Sequence, residues 1–197
     1  MSTDLLELGA TVLGDDLVDE VVFVGGATIT LWITDPAAPP PRPTKDVDVI
    51  VEVATRADYY AFEERLRAAG FTDDGNVICR WRHRGSGLIL DAMPTDAALL
   101  GFENQWQRES FPHAVVVDLP SGTQIRAVPP QFLLATKIEA HLGRGAGDLL
   151  SSRDFADIVD RVLDGVQGQL LPDAASQARA EDVVIARLHQ IVEATRA

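Results

Sequence analysis

Two aspartates one residue apart, inside an otherwise apolar run, constrain this chain more than any other feature. In Asp46-Val47-Asp48-Val49-Ile50-Val51 the pattern is that of a strand. Strand side chains alternate faces, so both carboxylates point one way while Val47, Val49 and Val51 point the other. Carboxylates held this close repel unless something cationic sits between them. One or two Mg²⁺ ions are the usual remedy, since they take oxygen ligands and seldom need a full protein cage. Upstream, Val21–Val24 is a short, continuously apolar run that reads as a buried strand. It ends in Gly25-Gly26, where a backbone without Cβ can pass close to a ligand. A helix is expected over Ala27–Thr34, its first amides aimed at an anion. An anion cradle beside paired carboxylates describes a site for a metal-bound nucleoside triphosphate.

The 197 residues suffice for one good core. A net charge of −13 argues against a protein whose main task is gripping nucleic acid through its phosphates. It leaves room for a local basic cleft. The single cysteine, Cys79, rules out an internal disulfide and a cysteine-based zinc site. It is expected to pack as a small hydrophobe in a strand. With no secretory leader in Met1–Glu20 and no apolar run of bilayer length, the expectation is a cytoplasmic protein without a membrane partner.

Around the central stretch, leucines and valines at helical spacing predict a first helix over Asp4–Glu20. Asp35–Pro43 is a proline-rich loop, carrying Arg42 just ahead of Lys45. Thr55–Ala69 reads as an amphipathic helix stopped by Gly70. Strands over Asn76–Arg84 and Gly87–Ala92, joined at Gly85-Ser86-Gly87, predict a hairpin. Alternation puts Val77, Cys79 and Trp81 on one face of its first strand. Arg80, Arg82 and Arg84 fall on the other, read as a solvated face or, less readily, as a strip that meets a polyanion. The second strand ends in Asp91, an acid whose burial is costly unless it is paired or holds a metal. A second hairpin is expected over His113–Leu119 and Thr123–Val128, where Asp118 caps the turn. Helices follow over Gln131–Leu142, Arg153–Leu163 and roughly Ala178–Ala194, the first two joined through Gly143–Asp148.

A glycine pair entering a helix, then D-x-D on the next strand, resembles the nucleotidyltransferase superfamily. Nineteen residues separate Gly26 from Asp46, more than is usual there, and the excess is the proline-rich loop. The block Phe132–Val162 narrows the likeness to nucleotidyltransferases of the AbiEii/AbiGii type, the toxin half of type IV toxin–antitoxin systems. Those enzymes place a lysine on a helix after the sheet, then Arg-Gly, then an aspartate opening the next helix. Here these are Lys137, Arg144-Gly145 and Asp154, with Asp157 one turn later. The resemblance spans about Val21 to Val162.

It implies an α+β fold: a nucleotidyltransferase-type mixed sheet flanked by helices, with a catalytic core over 1–128 and a C-terminal helical segment over 129–197 that completes the active site. It further implies Asp46, Asp48 and a third acid, Asp91, as Mg²⁺ (or Mn²⁺) ligands, with Asp91 as general base instead or as well. Gly25, Gly26, Thr28, Lys137 and Arg144 bind the nucleotide, and Asp154 holds Lys137 in place. The alternative role for Lys137 is a surface lysine with a buried stem, and for Asp154 a helix-terminal acid. The reaction implied is transfer of NMP from an NTP to a hydroxyl of RNA or protein, with a cognate antitoxin as partner. Two other readings stand beside it: a small-molecule, aminoglycoside-like nucleotidyltransferase, and a catalytically silent nucleotide-binding module.

Overall fold

The computed structural model describes residues 3–33, 43–96 and 105–143. The helices expected over 153–163 and 178–194 lie outside these residues. So do Arg42, Arg144, Asp148, Asp154, Asp157 and all of the proline-rich loop but Pro43.

Among the described residues seven strands form one mixed sheet. In chain order they are β1 Val21–Val24, β2 Asp46–Val51, β3 Phe71–Asp73, β4 Arg80–His83, β5 Ile89–Pro94, β6 Val115–Asp118 and β7 Gln124–Ala127. Across the sheet the order is β3-β4-β5-β2-β1-β7-β6. The pairs β2/β5 and β1/β7 are parallel, and the remaining neighbours are antiparallel. Five helices accompany it among the described residues: α1 Asp4–Val18, α2 Ile29–Trp32, α3 Arg56–Ala68, α4 Gln105–Ser110 and α5 Pro130–Gly143. This is the α+β architecture expected of a nucleotidyltransferase.

Both faces of the central strands are covered, and the two faces explain the site. Val21 and Phe23 of β1, Val47, Val49 and Val51 of β2, and Leu90 and Ala92 of β5 face α1 and α3. There they meet Leu6, Leu13 and Leu17 from α1 and Tyr59, Phe62 and Leu66 from α3. Each fully buried side chain of this kind contributes roughly 1.5–3 kcal/mol. Thr55 caps α3 by accepting the Asp58 amide while its hydroxyl bonds the Asp58 carboxylate, a variant of the capping box. On the opposite face Val22, Val24 and Ile50 pack with Leu133 and Leu134 of α5 and with Ile29 and Phe111. This second cluster is smaller. Along β2 it stops at Ile50, and the next two side chains on that face are Asp48 and Asp46.

Four expectations need correction. The helix over Ala27–Thr34 is instead a 3₁₀ turn, Gly26–Thr28, followed by the single turn of α2. β-branched Thr28, Ile29 and Thr30 explain this. The hydroxyls of Thr28 and Thr30 also bond back to the carbonyls of Gly25 and Ala27, competing with a regular ladder. The strand over Asn76–Arg84 shrinks to β4, because the chain bends over Gly75–Val77 and turns at Ile78-Cys79, where the Arg80 amide donates to the Val77 carbonyl at 3.2 Å. Cys79, expected in that strand, adopts a left-handed φ of 64°. The hairpin's second strand runs on past Asp91 to Pro94, so Asp91 lies within the strand and not at its end. An unforeseen edge strand, β3, pairs with β4. The second hairpin forms as expected, with β7 inserted beside β1.

Candidate active site

Register brings the acids together. In the parallel β2/β5 ladder Asp48 lies opposite Asp91 and Asp46 opposite Ile89. Val47, Val49, Leu90 and Ala92 are fully buried on the far face, so Asp46, Asp48 and Asp91 share the near face by alternation. Asp118, the acid expected to cap the second hairpin's turn, sits on the outer edge strand β6, beyond β1 and β7, and accepts a hydrogen bond from Gln124. It takes no part in the cluster.

β4 adds a residue expected on a solvated face. Arg80 lies directly opposite Asp91 in the antiparallel β4/β5 ladder. Its Nε donates to Asp91 Oδ1 at 2.8 Å and its Nη2 to Asp91 Oδ2 at 2.7 Å. The same Nη2 also donates to Asp46 Oδ2 at 3.1 Å. The Asp91 hydrogen bonds are the first reason that the guanidinium is held charged even more firmly than usual. Arg82 is taken up as well, donating from Nε to Asp74 at 2.8 Å. The three arginines therefore do not form a free basic strip. The sequence alone did not reveal this: counting back from the Gly85-Ser86-Gly87 turn would pair Asp91 with Trp81, and the observed register, Arg80 with Asp91 and Arg82 with Ile89, differs from that by one residue. Thr44, also unforeseen, donates to Asp46 Oδ1 at 2.6 Å.

Asp48 is the distinctive carboxylate. Among the described residues no hydrogen-bond donor reaches it, and its pKa is pushed up to about 6. Loss of solvent is the main cause. Lys137 pulls the value down, the charges of Asp46 and Asp91 push it up, and Arg80 lowers it. Although half-buried by surface area, the carboxyl is pressed between backbone and like charges, which accounts for the shift. Lys137, on α5 beside the buried Leu133 and Leu134, is thus electrostatically part of the site and not a remote surface lysine.

Gly25 is what lets Asp48 stand there. Its φ and ψ of 80° and −161° suit glycine alone. A Cβ built on it would lie 1.8 Å from Asp48 Oδ2. The close approach foreseen for a ligand is thus first of all an approach to this carboxylate. Thr28 is fully buried and its hydroxyl donates to the Gly25 carbonyl at 2.9 Å. It braces the turn from inside. Cys79 is half-buried next to the cluster, its thiol pushed up to about 12 by burial and then by Asp91 and Asp48. It stays protonated and unreactive at neutral pH.

Three carboxylates on adjacent strands offer hard oxygen donors of the kind that hold Mg²⁺ or Mn²⁺, and Asp48, desolvated and without a donor, fits that use. Yet among the described residues no three His, Cys, Asp or Glu side chains converge closely enough to hold a metal. Arg80 stands between two of the acids.

A strand–Gly-Gly–turn unit, D-x-D on the neighbouring strand, a third acid in register and a lysine from a following helix define a nucleotidyltransferase. The family model for the AbiEii nucleotidyl transferase toxin of type IV toxin–antitoxin systems matches residues 11–193, and the chain belongs to this family. No curated protein is similar enough to match. No helix among the described residues is long and apolar enough to cross a membrane.

Proposed function

We propose that this chain moves a nucleoside monophosphate from an NTP to a hydroxyl on RNA or protein, in a reaction that depends on a divalent cation. The observation that carries the reading is the placement of Asp46, Asp48 and Asp91 on one sheet face by the β2/β5 register, with the charge of Lys137 reaching Asp48. Asp46 and Asp48 would hold the cation, with Asp91 as a third ligand or as general base. A bound Mg²⁺ or Mn²⁺ would neutralise triphosphate charge and make the acceptor hydroxyl more acidic.

The chain's own groups do the rest. Gly25 and Gly26 bring the turn amides close to the phosphates, and Thr28 keeps that turn in shape from behind. Lys137 offsets charge developing on the leaving pyrophosphate, as clamping cations do. A raised Asp48 carboxyl favours whatever positive group replaces its lost water. Asp91, once released from Arg80, accepts the proton of the attacking hydroxyl. Most of the rate then comes from position and charge.

The segment 1–128 is proposed as the catalytic core, completed by 129–197 through Lys137, Arg144 and Asp154. The family supports a cognate antitoxin as the partner that restrains the activity. Each α-labelled NTP, incubated with cell extract, Mg²⁺ and the protein or its Asp48→Asn variant, tests the whole reading. Label is expected on RNA or protein with the native chain only. Label found solely on a small amine-rich molecule would overturn the macromolecular acceptor, and no label under any condition would overturn transfer.

A further inference from the structure

The site contains a cation that the protein supplies itself. Asp46 and Asp91 together carry four carboxylate oxygens. Arg80 donates to three of them, Asp91 Oδ1, Asp91 Oδ2 and Asp46 Oδ2, and Thr44 donates to the fourth. The arginine and Asp91 side chains are 24% and 14% exposed, so the pair is partly withdrawn from water. A planar fork against a carboxylate is the strongest geometry available to such a pair. Only Asp48, the third acid, is left without a donor among the described residues.

A divalent cation at Asp46 and Asp91 would share its ligands with a guanidinium at contact distance, and two positive groups so close repel. We infer that Arg80 is a built-in counter-cation that competes with the divalent metal for Asp46 and Asp91, so that loading the site requires its guanidinium to leave them. The inference rests on the metal-dependent reading above. It makes Arg80 a positioning residue: it keeps the acids poised and mutually unrepelled while no metal is bound, and sets how readily metal enters. A purely structural brace between β4 and β5 would act differently. Its loss would loosen the acids and weaken metal binding.

Mn²⁺ titration of the full-length, nucleotide-free protein, followed by the spectroscopic signal of free Mn²⁺, separates the two. Arg80→Gln is expected to bind Mn²⁺ at least about tenfold more tightly than the native chain. Its melting temperature should be lower without metal and should rise more on adding Mn²⁺. Arg80→Lys keeps the charge but loses the fork, so its affinity should fall between the two, and it decides the matter if the glutamine variant does not fold. Unchanged or weaker Mn²⁺ binding in the variants, with measurable binding by the native chain, would overturn the role of Arg80 and leave the metal site standing. No Mn²⁺ binding by any of the proteins would overturn both.

Discussion

Replacing Gly25 by alanine is a one-methyl change whose outcome the geometry decides. The residue sits at φ 80°, ψ −161°, a region that costs a side-chain-bearing residue about 1–3 kcal/mol. The new Cβ would fall 1.8 Å from Asp48 Oδ2 and 2.6 Å from its Cγ, so the turn or the carboxylate has to move. Forcing extra volume into a packed place costs a further 1–3 kcal/mol or so. Alanine recovers roughly 0.4–1 kcal/mol by restricting the unfolded chain. The net expectation is a loss of about 2–5 kcal/mol, a large share of the roughly 5–15 kcal/mol typical of a domain. Transfer activity should drop by about a hundredfold or more even where the protein is still folded, because an ångström of displacement at a reacting group has that effect. The next residue is the control. A Cβ on Gly26 would meet nothing nearer than Thr44 Cβ at 3.4 Å, and Gly26→Ala should change stability by less than about 1 kcal/mol. Urea unfolding of both variants, with transfer assays on the folded fractions, measures the contrast. Equal stability and activity in the two would refute the claim that Gly25 exists to admit the Asp48 carboxylate.

Asp48→Asn should remove transfer yet stabilise the metal-free protein at mildly alkaline pH. The native carboxyl holds its proton up to about pH 6, whereas in the unfolded chain it loses it near its ordinary value of 3.8. Ionisation therefore costs the fold nothing below that lower value, a growing amount between the two, and the full amount above the higher. The shift is worth up to about 3 kcal/mol, and partial solvent access reduces this to roughly 1–2 kcal/mol. Chelator-treated native and Asn proteins should thus differ in urea midpoint at about pH 8 and converge at about pH 4. A constant gap across that range would refute the assignment. Lys137→Ala should lower kcat/KM for the NTP by about 2–4 kcal/mol in activation free energy, with Lys137→Arg recovering only part of it. Normal turnover of the alanine variant would return Lys137 to the surface. Asp46→Asn should abolish transfer without measurable loss of fold, since its carboxylate lies outside both apolar clusters. Retained transfer in a well-folded variant would exclude it as a ligand.

Alternation alone was enough to put Asp46 and Asp48 on one side of a strand and Val47, Val49 and Val51 on the other, because a strand's period is strictly two. Glycine punctuation and apolar spacing similarly marked α1, α3, α5 and both hairpins, and the ordered series from Gly25 to Lys137 pointed to the family. What a one-dimensional pattern does not contain is which strands become neighbours. The β2/β5 register, which sets Asp91 beside Asp48 and leaves Asp118 at the far edge, arises from long-range pairing. So does the choice of face for α5, where Leu133 and Leu134 join the apolar cluster that includes Ile50 and the charge of Lys137 reaches Asp48. The arginines of β4 show the limit most clearly. By composition Arg80 and Arg82 are equivalent surface cations, and only the pairing of β4 with β5 makes Arg80 the partner of Asp46 and Asp91 while Arg82 turns to Asp74. Likewise Gly25 and Gly26 are identical letters. Their difference is a positive φ and an oxygen atom 1.8 Å from where a methyl would be, which follows from the backbone's path past a neighbouring strand and not from local propensity.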